Sequence, residues 1–207
     1  MAFIDTIAPD AADDTVASMY RRQQAAWGFI PNYAKAFSQR PEVLTRWGQL
    51  LAEIKRPMDA RRFELVTFVA AIELRNSACA LVHGNKLRAW FSDEQILAIA
   101  DGDATMLSAA EQAMLAFARL TARDATHTTA AQVAALKRHG FDDAQVFDIA
   151  AAAAGRAFFA KLLDGLGVLP DSSLLALDEP FKRALVAGRE IDEEPAATMP
   201  LPEPTDR

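Results

Sequence analysis

Hydrophobic positions recur at spacings of three and four along most of the chain, which is the period of an α-helix that buries one face. The pattern is clearest in residues 40–54 and 58–74, where Asp59 is placed to cap the second helix. We also predict one helix over Pro9–Ala26. No segment shows sustained alternation with β-branched residues, so we expect an all-α fold with essentially no sheet.

Helix starts and stops in the second half are marked by short motifs. Four tetrapeptides place a capping side chain three residues before Glu or Gln, which is the capping-box pattern. They are Ser92–Gln95, Ser108–Glu111, Thr129–Gln132 and Asp142–Gln145. Gly102, Gly140 and Gly167 follow the periodic stretches and predict their ends. The alanine-rich stretch 149–167 allows close helix approach, so we expect a central helix or an oligomer contact there.

Composition and charge limit the class of protein. A chain of 207 residues with 51% hydrophobic residues fits one large domain. The net charge of −6, with scattered Lys and Arg, favours neither a nucleic acid nor an anionic membrane as a partner. No uncharged apolar stretch approaches the roughly 18 residues of a membrane span. We predict a helical domain over residues 1–188 and a disordered, acidic, proline-containing tail over 189–207.

The single cysteine directs attention to residues 76–85, "NSACALVHGN". One cysteine forms no intrachain disulfide, which suits a reducing cytoplasm, and the N-terminus shows no signal-peptide pattern. Cys79 and His83 stand one helical turn apart on the same face. If the helix starts at Asn76 or Ser77, Cys79 falls in its first turn, where the dipole favours a thiolate. We therefore expect the two side chains to exchange a proton, with an imidazolium stabilising the sulfur.

A structural role for the pair stays open at this point. Free cysteine is often buried as a small hydrophobic residue, and a lone histidine is often a hydrogen-bonded core residue. A metal site needs further ligands that the spacing does not nominate, so we expect no metal and no cofactor. His127 and His139 are expected to be solvated or to cap a helix end.

The segment resembles the alkylhydroperoxidase D-like (AhpD-like), carboxymuconolactone decarboxylase family, in its longer peroxidase-related branch. That family carries a glutamate, eleven residues, then Cys-x-x-Cys-x-x-x-His. Glu64, Cys79 and His83 match the glutamate, the second cysteine and the histidine, while Asn76 stands where the first cysteine belongs. Flanking stretches such as "GFIPNYAKAFSQRPEVL" and "FFAKLLDGLGV" are also similar, and the likeness covers roughly residues 1–170.

The resemblance implies an AhpD-like multi-helix fold and a set of roles. Cys79 would be the nucleophile toward a hydroperoxide, His83 its acid/base partner and Glu64 the group that orients His83. Asn76 has no sulfur to resolve the oxidised cysteine, so an external thiol would have to do it. The expected protein is a cytoplasmic, homo-oligomeric, one-cysteine peroxidase-type oxidoreductase that takes a small-molecule substrate.

Two alternatives remain on the same scaffold. A lyase of the decarboxylase type would use Glu64 and His83 as acid/base residues on a small acid and would not need the thiol. Arg75 and Arg88 lie near the motif, but we interpret both as parts of a solvated helix face. A non-catalytic relative, which keeps the fold for assembly or ligand binding, is the other alternative.

Overall fold

The structure, a computed structural model, describes residues 2–199. Within that range it contains ten α-helices and no strand, apart from one isolated β-bridge between Ile30 and Ala197. The predicted all-α class is confirmed. In chain order the helices are α1 (Asp14–Trp27), α2 (Asn32–Ala36), α3 (Pro41–Lys55), α4 (Ala60–Glu73), α5 (Ser77–Leu87), α6 (Asp93–Ala100), α7 (Ala109–Asp124), α8 (Ala130–Arg138), α9 (Asp143–Gly165) and α10 (Glu179–Leu185).

The centre of the fold is α4. Nine consecutive residues of this helix, 63–71, are buried, because α5, α7 and α9 pack around it. The alanine-rich α9, our candidate for the central helix, instead lies on one side of α4 and leaves Phe147 and Phe158 exposed. The two polar residues in the buried run of α4, Glu64 and Thr67, therefore need partners inside the protein.

Capping residues set most helix ends as predicted. All four capping boxes are formed, and Gly102, Gly140 and Gly167 have φ angles of 94°, 89° and 72°. The single helix predicted over Pro9–Ala26 is wrong. The chain forms a short 3₁₀ turn at Pro9–Ala11, and α1 begins only after Asp13, whose carboxylate accepts the backbone N–H of Val16.

Residues 189–199, predicted as the start of a disordered tail, make specific contacts with the helical body. Arg189 donates a hydrogen bond to the carbonyl oxygen of Asp164, and the Asp192 N–H donates to the Pro170 carbonyl. Met199 exchanges hydrogen bonds with the side chain of Gln24. These three residues thus have hydrogen-bond partners in the helical body, and the domain boundary expected at 188/189 stays a prediction. The remainder of the predicted tail, 200–207, lies outside the described residues.

Surface features bear on assembly and on membranes. Val43 and Leu50 of α3 lie exposed on the same side of the molecule as Phe158 of α9, with which they line a shallow apolar groove. The homo-oligomer expected from the sequence stays a prediction. Across residues 2–199, no helix has both the length and the hydropathy that a bilayer span requires.

The segment after α10 passes so close to the start of α5 that position 188 has no room for a side chain. A Cβ on Gly188 would overlap the carbonyl oxygen of Arg75, a residue held at φ 55°. We expect Gly188→Ala to destabilise the protein by about 1–3 kcal/mol, the usual cost of forcing extra atoms into a packed site. Gly165→Ala is the matched control, because its Cβ would meet nothing within 4 Å. Urea unfolding measures both, and equal stabilities of the two variants would contradict the close contact.

Candidate active site

The site starts at the N-terminus of α5, which Asn76 caps as predicted. Its side-chain oxygen accepts the backbone N–H of Cys79 at 2.9 Å, and its amide nitrogen donates to Asp164 Oδ2 at 2.9 Å. Asn76 is buried, and both ends of its amide are occupied. The residue at the position of the family's first cysteine thus serves to orient the first turn of α5.

Cys79 lies beside a buried cation. Its Sγ accepts a hydrogen bond from Nη1 of Arg156 at 3.3 Å, and Arg156, in the middle of α9, is only 6% exposed. The guanidinium also lies 5.7 Å from the ring centroid of Phe159. A positive donor at this distance stabilises negative charge on the sulfur, as does the first turn of a helix. The sulfur of Cys79 therefore lies between a buried guanidinium and the N-terminal turn of α5.

His83 is held by two groups of α4. Its Nδ1 lies 2.5 Å from Glu64 Oε2 and 3.3 Å from Thr67 Oγ1. The Thr67 hydroxyl already donates to the carbonyl oxygen of Phe63, so it presents a lone pair to the ring, as does the carboxylate. Because both neighbours accept, Nδ1 carries the proton. Nε2 is therefore the unprotonated nitrogen and can act as a base.

The histidine is neutral. Burial, together with the positive charge of Arg156, lowers the pKa of His83 to about 4, despite the opposing effect of Glu64. Burial alone would raise the pKa of Glu64, but the hydrogen bond that His83 donates and the nearby positive charge of Lys86 act against burial, and the pKa is lowered overall. Lys86 Nζ lies 3.7 Å from Glu64 Oε1. Glu64 is thus ionised and orients the ring through Nδ1.

These findings change the expected relation between Cys79 and His83. The sequence predicted an imidazolium that pairs with the sulfur, whereas the imidazole is neutral and the neighbouring cation is Arg156. Within residues 2–199, the hydrogen-bond partner of Sγ is Arg156 and not His83. The physical reason is burial beside Arg156: the loss of solvent and the repulsion by the guanidinium outweigh the stabilisation that Glu64 gives to an imidazolium, while a guanidinium stays charged.

Cys79 and His83 nevertheless face the same cavity, which has a volume of about 120 Å³. Its walls come from α5, α9, the segment between α1 and α2, and the segment that follows α9. Trp27, Phe29, Tyr33 and Phe159 provide aromatic surface, and Asp171 provides a carboxylate. A cavity of about 150 Å³ holds one benzene molecule, so this one suits a ligand of about one ring. A small molecule in the cavity would contact the sulfur.

Three residues of this region escaped the sequence analysis. Arg156 had a usable signal, because it is the lone charge on a stripe otherwise formed by Ala152, Ala153, Phe159 and Ala160. Thr67 lies among the apolar residues of α4, and its position in the sequence carries no signal for its contact with the histidine. Asp171 follows "VLP", a pattern that indicates the end of a helix and carries no signal for a cavity wall.

The other candidates lie away from the cavity. Arg75 donates to the carbonyl oxygen of Ala187, and Arg88 forms ion pairs with Asp93 and Asp178, so neither faces the cavity. The predicted solvated or capping roles fit His127 and His139, because both are exposed and His139 caps α8. No group of three or more His, Cys, Asp or Glu side chains suited to a metal ion occurs in residues 2–199.

Solved structures with the same arrangement of helices share little sequence with the chain. One is the AhpD core of an uncharacterized peroxidase-related protein from Ralstonia eutropha JMP134, at 21% identity, a TM-score of 0.69, and coverage of 85% of this chain and 95% of that one. The protein has the AhpD-like fold. A peroxidase-related protein from Silicibacter sp. TM1040 is similar at 18% identity and a TM-score of 0.68, over 84% of this chain and 91% of its own.

The AhpD-like fold also occurs in a protein described as a debrominase. A cysteine-to-alanine variant of this protein, Bmp8, was solved in complex with 2,3,4-tribromopyrrole. It is 16% identical over 83% of this chain and 97% of its own, with a TM-score of 0.66. No family model and no curated protein matches the chain by sequence. The likeness therefore establishes the fold, and the chemistry has to be argued from the site.

The lowered pKa of His83 has a direct spectroscopic consequence. Free histidine takes up a proton near pH 6.5, but His83 is expected to stay neutral, with Nδ1 protonated, until the pH falls to about 4. Nitrogen-15 NMR of the imidazole nitrogens between pH 8 and pH 4 measures this, with His83→Gln used to assign the signal. Protonation of His83 near pH 6.5, or a proton on Nε2 at neutral pH, would contradict the geometry described above.

Proposed function

We propose that the protein is a one-cysteine, thiol-dependent oxidoreductase that reduces hydroperoxides, with Cys79 as the nucleophile. The observation that supports this most is the placement of Sγ, which lies between the buried Arg156 guanidinium and a cavity that a small molecule can fill. A cation next to a cysteine that also faces an accessible cavity is the environment of reactive thiols rather than structural ones.

In the proposed first step the Cys79 thiolate attacks the distal oxygen of the hydroperoxide. An S–O bond forms, the O–O bond breaks, and the alkoxide leaves and takes up a proton. The sulfur is oxidised to a sulfenic acid while the peroxide is reduced to an alcohol. The Arg156 guanidinium lies where it can stabilise negative charge both before and during this transfer.

His83 can handle the protons of this step. Its unprotonated Nε2 accepts a proton, and the imidazolium so formed, stabilised by Glu64 at Nδ1, can return that proton to the leaving alkoxide. Since Sγ and His83 are not directly hydrogen-bonded, the proton passes across the cavity through the substrate or one water. The low pKa of His83 keeps it in the accepting form at neutral pH.

Regeneration requires a sulfur from outside the chain. Asn76 has no thiol, and its amide is committed to Cys79 N–H and to Asp164. One external thiol condenses with the sulfenic acid, releasing water and leaving a mixed disulfide. A second thiol then frees Cys79 and leaves as the external disulfide. Such a cycle belongs in a thiol-rich, reducing compartment, which we propose to be the cytoplasm.

Reductive dehalogenation is a second candidate, favoured by the aromatic cavity. The debrominase with this fold was solved with a brominated pyrrole, a ring of the size that the cavity here accepts. The sulfur would take the halogen in place of the peroxide oxygen, the ring carbon would gain a proton, and two external thiols would release halide and a disulfide. The chemistry at Cys79 is the same attack of a thiolate on an electrophilic atom.

The lyase alternative is less well supported by the cavity. A lactone acid brings a carboxylate, but among the described residues that line the cavity there is no Lys or Arg, and there is one acid, Asp171. Like charges in a confined site repel. A lyase would also retain activity in Cys79→Ser and lose it in Glu64→Gln, and a protein without catalysis would be indifferent to both changes.

We expect the purified protein to consume a small organic hydroperoxide only in the presence of an added thiol. Cys79→Ser should abolish turnover, and His83→Ala should lower kcat about 100-fold or more, because it removes the acid/base group. His139→Ala, an exposed histidine outside the site, is the matched control and should behave as wild type. Thiol consumption coupled to alcohol formation measures the activity. Full turnover by Cys79→Ser would refute the proposal.

A further inference from the structure

The cavity beside Cys79 has an unusual balance of charge. Of the lining residues within the described chain, none carries a positive charge at neutral pH, because His83 is neutral and Arg156 lies behind the sulfur. The one anionic group in the wall is the carboxylate of Asp171. Burial raises the pKa of this carboxylate to about 6. At pH 7 this carboxylate is mostly ionised. The cavity is therefore apolar and aromatic, with a single negative charge.

Most of the other polar groups in the wall are already committed to partners within the protein. Both ends of the Asn76 amide are used. The Tyr33 hydroxyl donates a hydrogen bond to Gln23 Oε1 at 2.5 Å, and the Nδ1–H of His83 donates one to Glu64. Apart from the Trp27 indole N–H and the Ser173 hydroxyl, what remains for a ligand is acceptor capacity.

Asp171 has the clearest unused capacity. Its Oδ1 accepts the backbone N–H of Asn32 at 2.7 Å, which fixes the side chain, while Oδ2 accepts no hydrogen bond from the described residues. Asp171 lies in the segment after α9, next to the segment between α1 and α2, whereas Cys79 and His83 belong to α5. The carboxylate and the sulfur thus come from different walls of one cavity.

The ring-binding surface accompanies this carboxylate. Tyr33 and Phe159 meet edge to face, with centroids 5.4 Å apart, and both line the cavity. This arrangement offers a ring both a face and an edge to pack against. Because the volume suits about one ring, a ligand that packs there has little freedom to avoid Asp171.

We propose that the cavity selects a small aromatic molecule that donates an N–H or O–H hydrogen bond to Asp171 and presents its reactive group to Cys79, and that it rejects carboxylates. That the ligand presents a reactive group to Cys79 rests on the proposed function. The selectivity for hydrogen-bond donors and against carboxylates rests on the cavity alone. A buried carboxylate that loses its solvent and gains no donor is costly, so a ring without a donor binds less tightly than one with a donor.

Three probes of similar size test the selectivity without any turnover. Aniline carries N–H donors, toluene replaces the amino group by a methyl group, and benzoate carries a carboxylate. Affinities are measured at pH 7.5 by ligand-observed NMR titration, on the full chain and on Cys79→Ser. We expect aniline to bind about tenfold or more tightly than toluene, because its donor meets a charged acceptor, and benzoate to bind most weakly.

Three variants test whether Asp171 and this cavity cause the selectivity among the probes. Asp171→Asn should bring aniline and toluene to within about threefold of each other, because the charged acceptor is lost, and should relieve the exclusion of benzoate. Asp192→Asn is the matched control: it removes the same charge near Asn32 but lies outside this cavity, so the ranking of the probes should persist. Ala78→Phe fills the cavity and should abolish binding of all three probes.

The outcomes separate this proposal from the proposed function. Equal binding of aniline and toluene to the wild type, an unchanged ranking in Asp171→Asn, or undiminished binding to Ala78→Phe would each overturn the substrate class. The selectivity seen in a protein that turns over no hydroperoxide would leave the substrate class standing and remove the peroxidase. Hydroperoxide turnover with no selectivity among the probes would support the peroxidase and overturn the substrate class.

Discussion

The contact between Arg156 and Cys79 is the constraint on which the rest of the site depends. A guanidinium that is 6% exposed is expensive to bury unless an anion or several acceptors surround it. Within the described residues, Arg156 forms no ion pair with a carboxylate, and its Nε has no hydrogen-bond partner. The sulfur, at 3.3 Å from Nη1, is placed to supply the missing negative charge. The guanidinium is therefore placed to stabilise negative charge that develops on the sulfur during a reaction.

The same cation accounts for the state of the histidine. His83 is buried near Arg156, so a second positive charge is unfavourable there, and the imidazole remains neutral. Glu64 and Thr67 then determine which nitrogen carries the proton, because both present acceptors to Nδ1. The site therefore has a cation, Arg156, beside the sulfur of Cys79, and a neutral base, His83, that faces the same cavity. Asn76 completes it by fixing the first turn of α5 rather than by offering a second thiol.

Local signals in the sequence were sufficient for the fold and for half of the site. Capping boxes, glycine stops and the spacing of Glu64, Cys79 and His83 depend on neighbours within a few turns or on a motif, and the structure brings these three side chains together. The apolar stripe around Arg156 indicates that it is buried, but its partner could not be assigned, since Cys79 is 77 residues away and only the arrangement of α5 and α9 around α4 determines that contact. Asp171 is similar, because a cavity wall is formed by segments that are distant in sequence. The charge of His83 was mispredicted because burial, which a motif does not report, decides it.

The most direct test of this account is the rate at which Cys79, the single cysteine, reacts with iodoacetamide at neutral pH in the wild type, Arg156→Met and Arg123→Met. Arg156→Met keeps most of the side-chain volume and removes the charge beside the sulfur, so we expect alkylation to slow about tenfold, in line with the loss of a charged hydrogen bond. Arg123→Met removes an exposed arginine from α7 and should leave the rate unchanged. Equal rates in all three folded proteins would show that Arg156 does not activate Cys79, and the account would be wrong at its centre.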